Sequence, residues 1–305
     1  MFGFLNINKP AGKTSRDAVN QIQRSVRPTK VGHGGTLDPL ATGVLVIALG
    51  PATRLIEYIQ DQSKTYRGTF RLGQSSNTED LEGEIVMLDD PSIPTSEDIM
   101  QVLPSFLGPI QQIPPAYSAV KINGQRAYHL ARQGSDPKLS ARTVEIYGLE
   151  LLRYEYPDLE LEIRCGSGTY IRSLGRDLAR ALHTEAVMTS LVRTAIGNFS
   201  LETALDLNSF QGDQIASSLI SPAEGLDKHP RIELDGEALR QLQNGRPLSI
   251  HDMPINTDQL HPLAFDQKER LQAILRPTPK GWRVAKSFWD SHGTPPLKNP
   301  PNTDQ

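Results

Sequence analysis

VGHGGTLDPLATG, from Val31 to Gly43, is the stretch on which the reading of this 305-residue chain turns. Gly32, Gly34 and Gly35 free the backbone for close approach, and Asp38 stands directly before Pro39. An Asp-Pro pair on its own ordinarily opens a helix, with the carboxylate capping the first turn and proline filling the first helical position. Along the chain, the loop Gly32 to Asp38 is followed by an apolar run of strand length, Val44 to Leu49. Upstream, Phe4 to Ile7 reads as a short strand. Thr14 to Val26 reads as an amphipathic helix capped by Thr14 or Ser15, with Val19, Ile22 and Val26 inward.

Downstream, a helix is expected over Ala52 to Gln60, then a strand over Tyr66 to Leu72 with Tyr66, Phe70 and Leu72 on one face. Thr95 and Asp98 resemble a capping box opening a helix toward Phe106, which Pro104 should end or kink. A strand pattern covers Val144 to Leu152. In the next one Leu159, Leu161 and Ile163 alternate with Glu160, Glu162 and Arg164 up to the turn Gly166-Ser167-Gly168. Leu174, Leu178 and Leu182 then mark a helix from Ile171 to Leu182. Strands and helices are interspersed without regular βαβ spacing, which predicts an α+β fold with a mixed sheet. A composition change near Asp227 to Pro230 sets the expected boundary, giving a larger domain over 1–229 and a smaller β-rich module over 230–290. The module should hold a helix (Gly236 to Gln243), the turn Asn244-Gly245 and three β-like runs around 263–265, 271–275 and 282–285. The tail 291–305, rich in Pro, Asn and Thr, is expected to be disordered.

Several function classes drop out. No apolar run approaches the roughly 20 residues of a membrane span. The opening MFGFLNINKP lacks the pattern of a secretory leader, and Cys165 alone allows no intrachain disulfide, so a cytoplasmic protein is expected. Seven histidines lie far apart and no Cys/His cluster exists, so no metal site is expected. Ala11-Gly12-Lys13-Thr14-Ser15 looks like the end of a phosphate-binding loop. The glycine that such a loop needs five residues before Gly12 is replaced by Ile7, however, and Pro10 removes a backbone donor. Net charge is −3 and the pI about 6.2. Charge is unevenly distributed, with basic stretches from Lys9 to Lys30 and from Lys121 to Arg142 and an acid-only stretch from Glu79 to Asp98. Because salt screens exposed charges beyond about 8 Å, a polyanion on a basic stripe feels the stripe rather than the total, and RNA stays open as a partner.

GGTLDPLATG resembles, without a gap, the signature motif of the TruB family of tRNA pseudouridine synthases. The resemblance extends through NKPAGKTS (Asn8 to Ser15), KTYRGTFRLG (Lys64 to Gly73), PPAYSAVKINGQRAYHLARQG (Pro114 to Gly134) and SGTYIRSLGRDL (Ser167 to Leu178), in family order. It implies that Asp38 is the catalytic aspartate, that Tyr66 stacks on the flipped base and takes part in removing the C5 proton, and that Arg172 pairs with the catalytic carboxylate. It further implies that Tyr170 belongs to the same pocket and that His33 contacts RNA near the extruded nucleotide. Lys9, Tyr117, Lys121 and Arg126 complete the implied RNA-contacting set, with Tyr117 and Lys121 on a mobile thumb. The C-terminal module resembles the PUA-type RNA-binding domain of bacterial members. The implied partner is the T-arm stem-loop of tRNA, modified at uridine 55 by a monomer with no metal, no other cofactor and no membrane.

The chemistry explains the residue types. Making pseudouridine breaks an N-glycosidic bond and remakes it at C5, with no net redox change and no group lost, so no cofactor is needed. An ionised carboxylate is needed, whether it attacks the sugar, attacks the base or takes a proton from C2′, and sequence leaves these three open. A guanidinium favours the charged form and orients it. Two competing functions are an RNA-binding protein without catalysis and the nucleotide hydrolase suggested by the phosphate-loop lookalike.

Overall fold

The computed structural model describes residues 1–118, 120–122, 124–133, 138–249 and 261–289; the tail expected to be disordered lies outside them. Strand β1 (Gly3–Lys9) leads into α1 (Ser15–Val26). The helix starts there because the side chains of Thr14 and Asp17 each accept the other's backbone N–H. Val19, Ile22 and Val26 are buried as their spacing predicts. The glycine-rich loop forms a short strand of its own, β2 (Val31–His33), before β3 (Thr42–Leu49). The helix expected over Ala52 to Gln60 divides into a 3-10 turn over Gly50–Leu55, with Pro51 in its first turn, and α2 (Ile56–Asp61).

Strand β4 (Lys64–Leu72) alternates buried and outward residues along its length, with Tyr66, Phe70 and Leu72 inward. A small hairpin, β5 (Gln74–Ser76) and β6 (Ile85–Met87), precedes α3 (Ser96–Val102). That helix begins at a second capping box, Thr95 with Asp98, and at Pro104 it gives way to a 3-10 turn, as the missing N–H requires. Strands β7 (Gly108–Gln112), β8 (Lys121–Ile122) and β9 (Gln125–Arg126), with α4 (Ala127–Arg132), lead to the long hairpin β10 (Arg142–Glu155) and β11 (Asp158–Cys165). Helix α5 (Ile171–Ala181) follows, then β12 (Ala186–Ile196), β13 (Phe199–Ser200), β14 (Leu205–Asp206) and α6 (Pro222–Gly225).

The main sheet has the order β14-β1-β3-β12-β4-β11-β10-β7 and is mixed: β14 with β1 and β12 with β3 run parallel, and the other neighbours on this path run antiparallel. Strand β3 is buried on both faces, which is why its sequence is a continuous apolar run rather than an alternation. Leu45, Ile47 and Leu49 meet α1, while Val44, Val46 and Ala48 pack in one core with Phe4, Leu55 and Ile59. Helix α5 lays Leu174 and Leu178 against Phe70 and Leu161.

A second sheet contains β15 (Arg231–Glu233), β16 (Leu263–Phe265), β17 (Leu271–Thr278) and β18 (Gly281–Ser287) in that order, with α7 (Gly236–Gln243) beside it. Ile232, Leu242, Leu275 and Trp282 form a small core of its own. Leu263, Phe265, Leu271, Ile274 and Phe288 join Phe4 and Val44 in the core of the main sheet, so the two sheets share a buried seam. Among the described residues no helix is long and apolar enough to cross a membrane.

At the edge of that seam the rings of His229 and His261 meet Tyr58 edge-on, at 5.4 and 5.7 Å between centroids, and His229 Nδ1 is 3.1 Å from the His261 carbonyl. Burial pushes the His229 pKa below its ordinary 6.5. A base whose folded pKa is lowered binds its proton better when unfolded, so its contribution to stability is present above 6.5 and is lost as pH falls below it. Urea melts are expected to show the wild-type protein less stable at pH 5.5 than at 7.5, and His229→Phe is expected to flatten that difference.

Candidate active site

The loop carrying Asp38 is fastened from two sides. On one side, Gly12 N–H donates to the Pro39 carbonyl (2.8 Å), and Ser15 Oγ both accepts from Leu37 N–H (2.9 Å) and donates to the Leu37 carbonyl (3.2 Å). Lys9 Nζ donates to the carbonyls of Pro10 (2.9 Å), Lys13 (2.6 Å) and Pro39 (3.4 Å). The segment that imitates a phosphate loop is thus occupied in holding the Asp38 loop. It also corrects an expectation: Lys9, grouped with the RNA-contacting residues, is 0% exposed and its ammonium is enclosed by backbone carbonyls. Burial pulls its pKa down to about 8, which leaves it charged at neutral pH.

On the other side stands Arg193 of β12, 1% exposed, whose guanidinium donates to the carbonyls of Val44 (2.7 Å), Gly35 (3.1 Å) and Thr36 (3.4 Å). Gly43 pairs with Arg193 in the parallel β3–β12 contact, at φ +98, where a Cβ would lie 2.2 Å from the Arg193 carbonyl oxygen. Only glycine fits this crossing.

Arg172 meets Asp38 as the family resemblance implies: its Nη2 lies 3.1 Å from Asp38 Oδ2. Its two terminal nitrogens serve three further acceptors. Nη1 reaches Asp80 Oδ2 at 3.1 Å and the Thr78 carbonyl at 2.9 Å, and Nη2 also donates to the Tyr117 carbonyl at 3.2 Å. Asp80, 2% exposed, is itself held by the Thr78 hydroxyl (2.6 Å) and Glu82 N–H (3.0 Å) on Oδ1. One buried guanidinium is therefore shared by two carboxylates, and the Asp38 carboxylate remains partly open to solvent, its side chain 36% exposed.

Asp38, Tyr66, Tyr117, Tyr170 and Arg172 line one cavity of about 220 Å³ together with Thr36, Leu37, Ser118, Thr169, Ile171 and Leu191. Tyr66 reaches it from β4, where burial raises the phenol pKa against the opposing pull of the Arg193 charge. Tyr170 is placed by Gln112, whose side-chain amide accepts from the Tyr170 N–H (2.8 Å) and donates to its carbonyl (3.0 Å). His33 does not line the cavity; it lies on β2, opposite Ile47. Burial lowers its pKa, and Nδ1 is buried. Lys121 and Arg126 are directly paired across β8 and β9. Sequence reading missed two site residues. Asp80 sits in an acid-rich stretch that looks like a solvated face, and Arg193 lies on a strand that was not predicted. The β-branched run Val187 to Ile196 was the available sign of that strand.

Residues 23–171 match the N-terminal domain of the TruB family pseudouridylate synthases. The chain is 42% identical to "tRNA pseudouridine synthase B" of Dehalococcoides mccartyi, covering 94% of this chain and 97% of the relative. It is 39% identical to the protein of the same name from Rhodopirellula baltica, covering 94% of each. Among solved structures, a chain in "Crystal Structure of a Cbf5-Nop10-Gar1 Complex" superposes with a TM-score of 0.73 at 26% identity, covering 94% of this chain and 85% of that one.

Removing one partner of a buried ion pair strands the other charge, at a cost of about 3–5 kcal/mol. Arg172→Met is expected to lose about 3 kcal/mol in urea unfolding, because Asp80 is left buried and unpaired. Adding Asp80→Asn in that background is expected to restore part of the loss.

Proposed function

Because the chain belongs to the TruB family of pseudouridine synthases, isomerases acting on uridine in RNA, we propose that it converts uridine 55 in the T-loop of tRNA, with Asp38 as the reacting group. The observation that carries this reading is the meeting of Asp38 and Arg172 at 3.1 Å in a cavity that also presents Tyr66. That cavity suits one base taken out of its stack. Extruding a uridine costs a few kcal/mol, and stacking on an aromatic face such as Tyr66 returns about 1–3 kcal/mol. The two nearly cancel, so net affinity has to come from phosphate and loop contacts elsewhere. We assign these to His33, Tyr117, Lys121 and Arg126, with Tyr170 completing the pocket.

Attack on the sugar, attack on the base and removal of the C2′ proton all require a carboxylate oxygen held in place yet reachable, and the Arg172 contact with partial exposure provides both. With its phenol pKa raised by burial, Tyr66 is neutral at physiological pH. It serves as a stacking face and takes part in removing the C5 proton. Residues 1–229 act as the catalytic unit and 230–290 as a PUA-like RNA-binding module, in a cytoplasmic monomer that needs no metal or organic cofactor.

Asp38→Asn is expected to abolish tritium release from tRNA labelled at uracil C5 while tRNA binding survives; retained turnover overturns the role of Asp38. Chemical mapping of the wild-type product should place pseudouridine at position 55, and a product elsewhere, or binding without conversion, overturns the substrate. Arg172→Lys keeps the charge but loses the planar fork that serves four acceptors, and is expected to lower the single-turnover rate by at least tenfold.

A further inference from the structure

Ser118 lines the cavity that holds Asp38 and Arg172. The residue is 4% exposed, and its Oγ is buried with no hydrogen-bond partner among the described residues. A hydroxyl buried in this way costs free energy that alanine would avoid, so its presence calls for a partner that arrives with a ligand. Its backbone is fixed on both sides. The carbonyl of Tyr117 accepts from Arg172 Nη2 at 3.2 Å, and the Ser118 carbonyl accepts from Tyr128 N–H at 3.1 Å. The group that orients Asp38 thereby also anchors the peptide next to this hydroxyl.

What enters the cavity sets what the hydroxyl meets. Uracil carries two carbonyl oxygens, O2 and O4, that lose their water on entering a site walled by Leu37, Ile171, Leu191 and tyrosine rings. Each such acceptor needs a donor inside. The cation in the cavity, Arg172, already serves Asp38, Asp80 and two backbone carbonyls. We propose that Ser118 is a substrate-positioning residue whose Oγ–H donates a hydrogen bond to a carbonyl oxygen of the extruded pyrimidine. This rests on the reading that the cavity receives the target uridine.

The test compares wild-type protein, Ser118→Ala and Ser118→Thr in single-turnover conversion of a T-arm stem-loop. The target position carries uridine, 2-thiouridine, 4-thiouridine or 2′-deoxyuridine. Ser118→Ala is expected to lower kcat/KM for uridine by about five- to tenfold, the size of one neutral hydrogen bond, and Ser118→Thr to recover most of it. Sulfur accepts poorly, so one of the two thio substitutions should cost the wild-type protein a similar factor and cost Ser118→Ala nothing further. Penalties that multiply independently for both thio substrates overturn the proposal, as does an unchanged kcat/KM in Ser118→Ala. A loss that disappears only on 2′-deoxyuridine also overturns it, by moving the contact to the ribose. A uniform loss on all substrates with a lowered melting temperature identifies a purely structural role. Failure of the wild-type protein to convert the uridine stem-loop overturns the functional reading itself, and this proposal with it.

Discussion

The site depends on how one guanidinium is divided. Arg172 is almost completely buried, and four oxygens compete for its fork: two carboxylates and two backbone carbonyls. Asp80 and the Thr78 carbonyl take one end. They fix the arginine so that the other end is presented to Asp38 and to the Tyr117 carbonyl. A lysine in that place would be a point charge with three mobile donors and would satisfy none of this geometry as a unit. The second carboxylate thus acts through position, since it decides which nitrogen is left for the first.

The same division of labour recurs in the backbone. The Asp38 loop contains little regular structure, yet neighbouring groups satisfy many of its carbonyls: Lys9 and Gly12 at Pro39, Ser15 at Leu37, Arg193 at Gly35 and Thr36. Lys9 and Arg193 are among the largest fully buried side chains in the described structure. Burying two cations is costly unless they are surrounded by acceptors, and loop carbonyls without strand partners are acceptors of that kind. Each side satisfies the other's unmet hydrogen bonds, which fastens an irregular loop as ladder bonds fasten a strand.

Much of this was legible in the sequence because the deciding signals are local. The Thr95–Asp98 capping box, the cap at the start of α1, the stop imposed by Pro104, the unbroken apolar run of β3 and the alternation in β11 each follow from residues within one or two turns of one another. The roles of Asp38, Arg172 and Tyr66 were assigned through family resemblance rather than physical derivation. What stayed hidden was non-local. The burial of Asp80 depends on Arg172, 92 positions away, and the burial of Lys9 depends on a loop 30 residues downstream. By charge alone both residues look like solvent-facing groups. Strand β12 carries Ser190 and the charged Arg193 among its apolar and β-branched residues, and these two break the apolar pattern of a strand that lies between two others in the middle of the sheet.

The sheet order has a consequence for how the chain is made. Strand β1 lies between β3 and β14, and it pairs with β14 through Ile7 and Leu205, nearly two hundred residues apart. Arg193 likewise reaches back to the loop at Gly35. Pairings of such long range are closed late and slowly, because the loop entropy has to be met before the contact rewards it. During synthesis the first strand therefore waits with an open edge until two thirds of the polypeptide has left the ribosome, and an interrupted translation product holds Asp38 on a loop with only one of its two sets of fastenings.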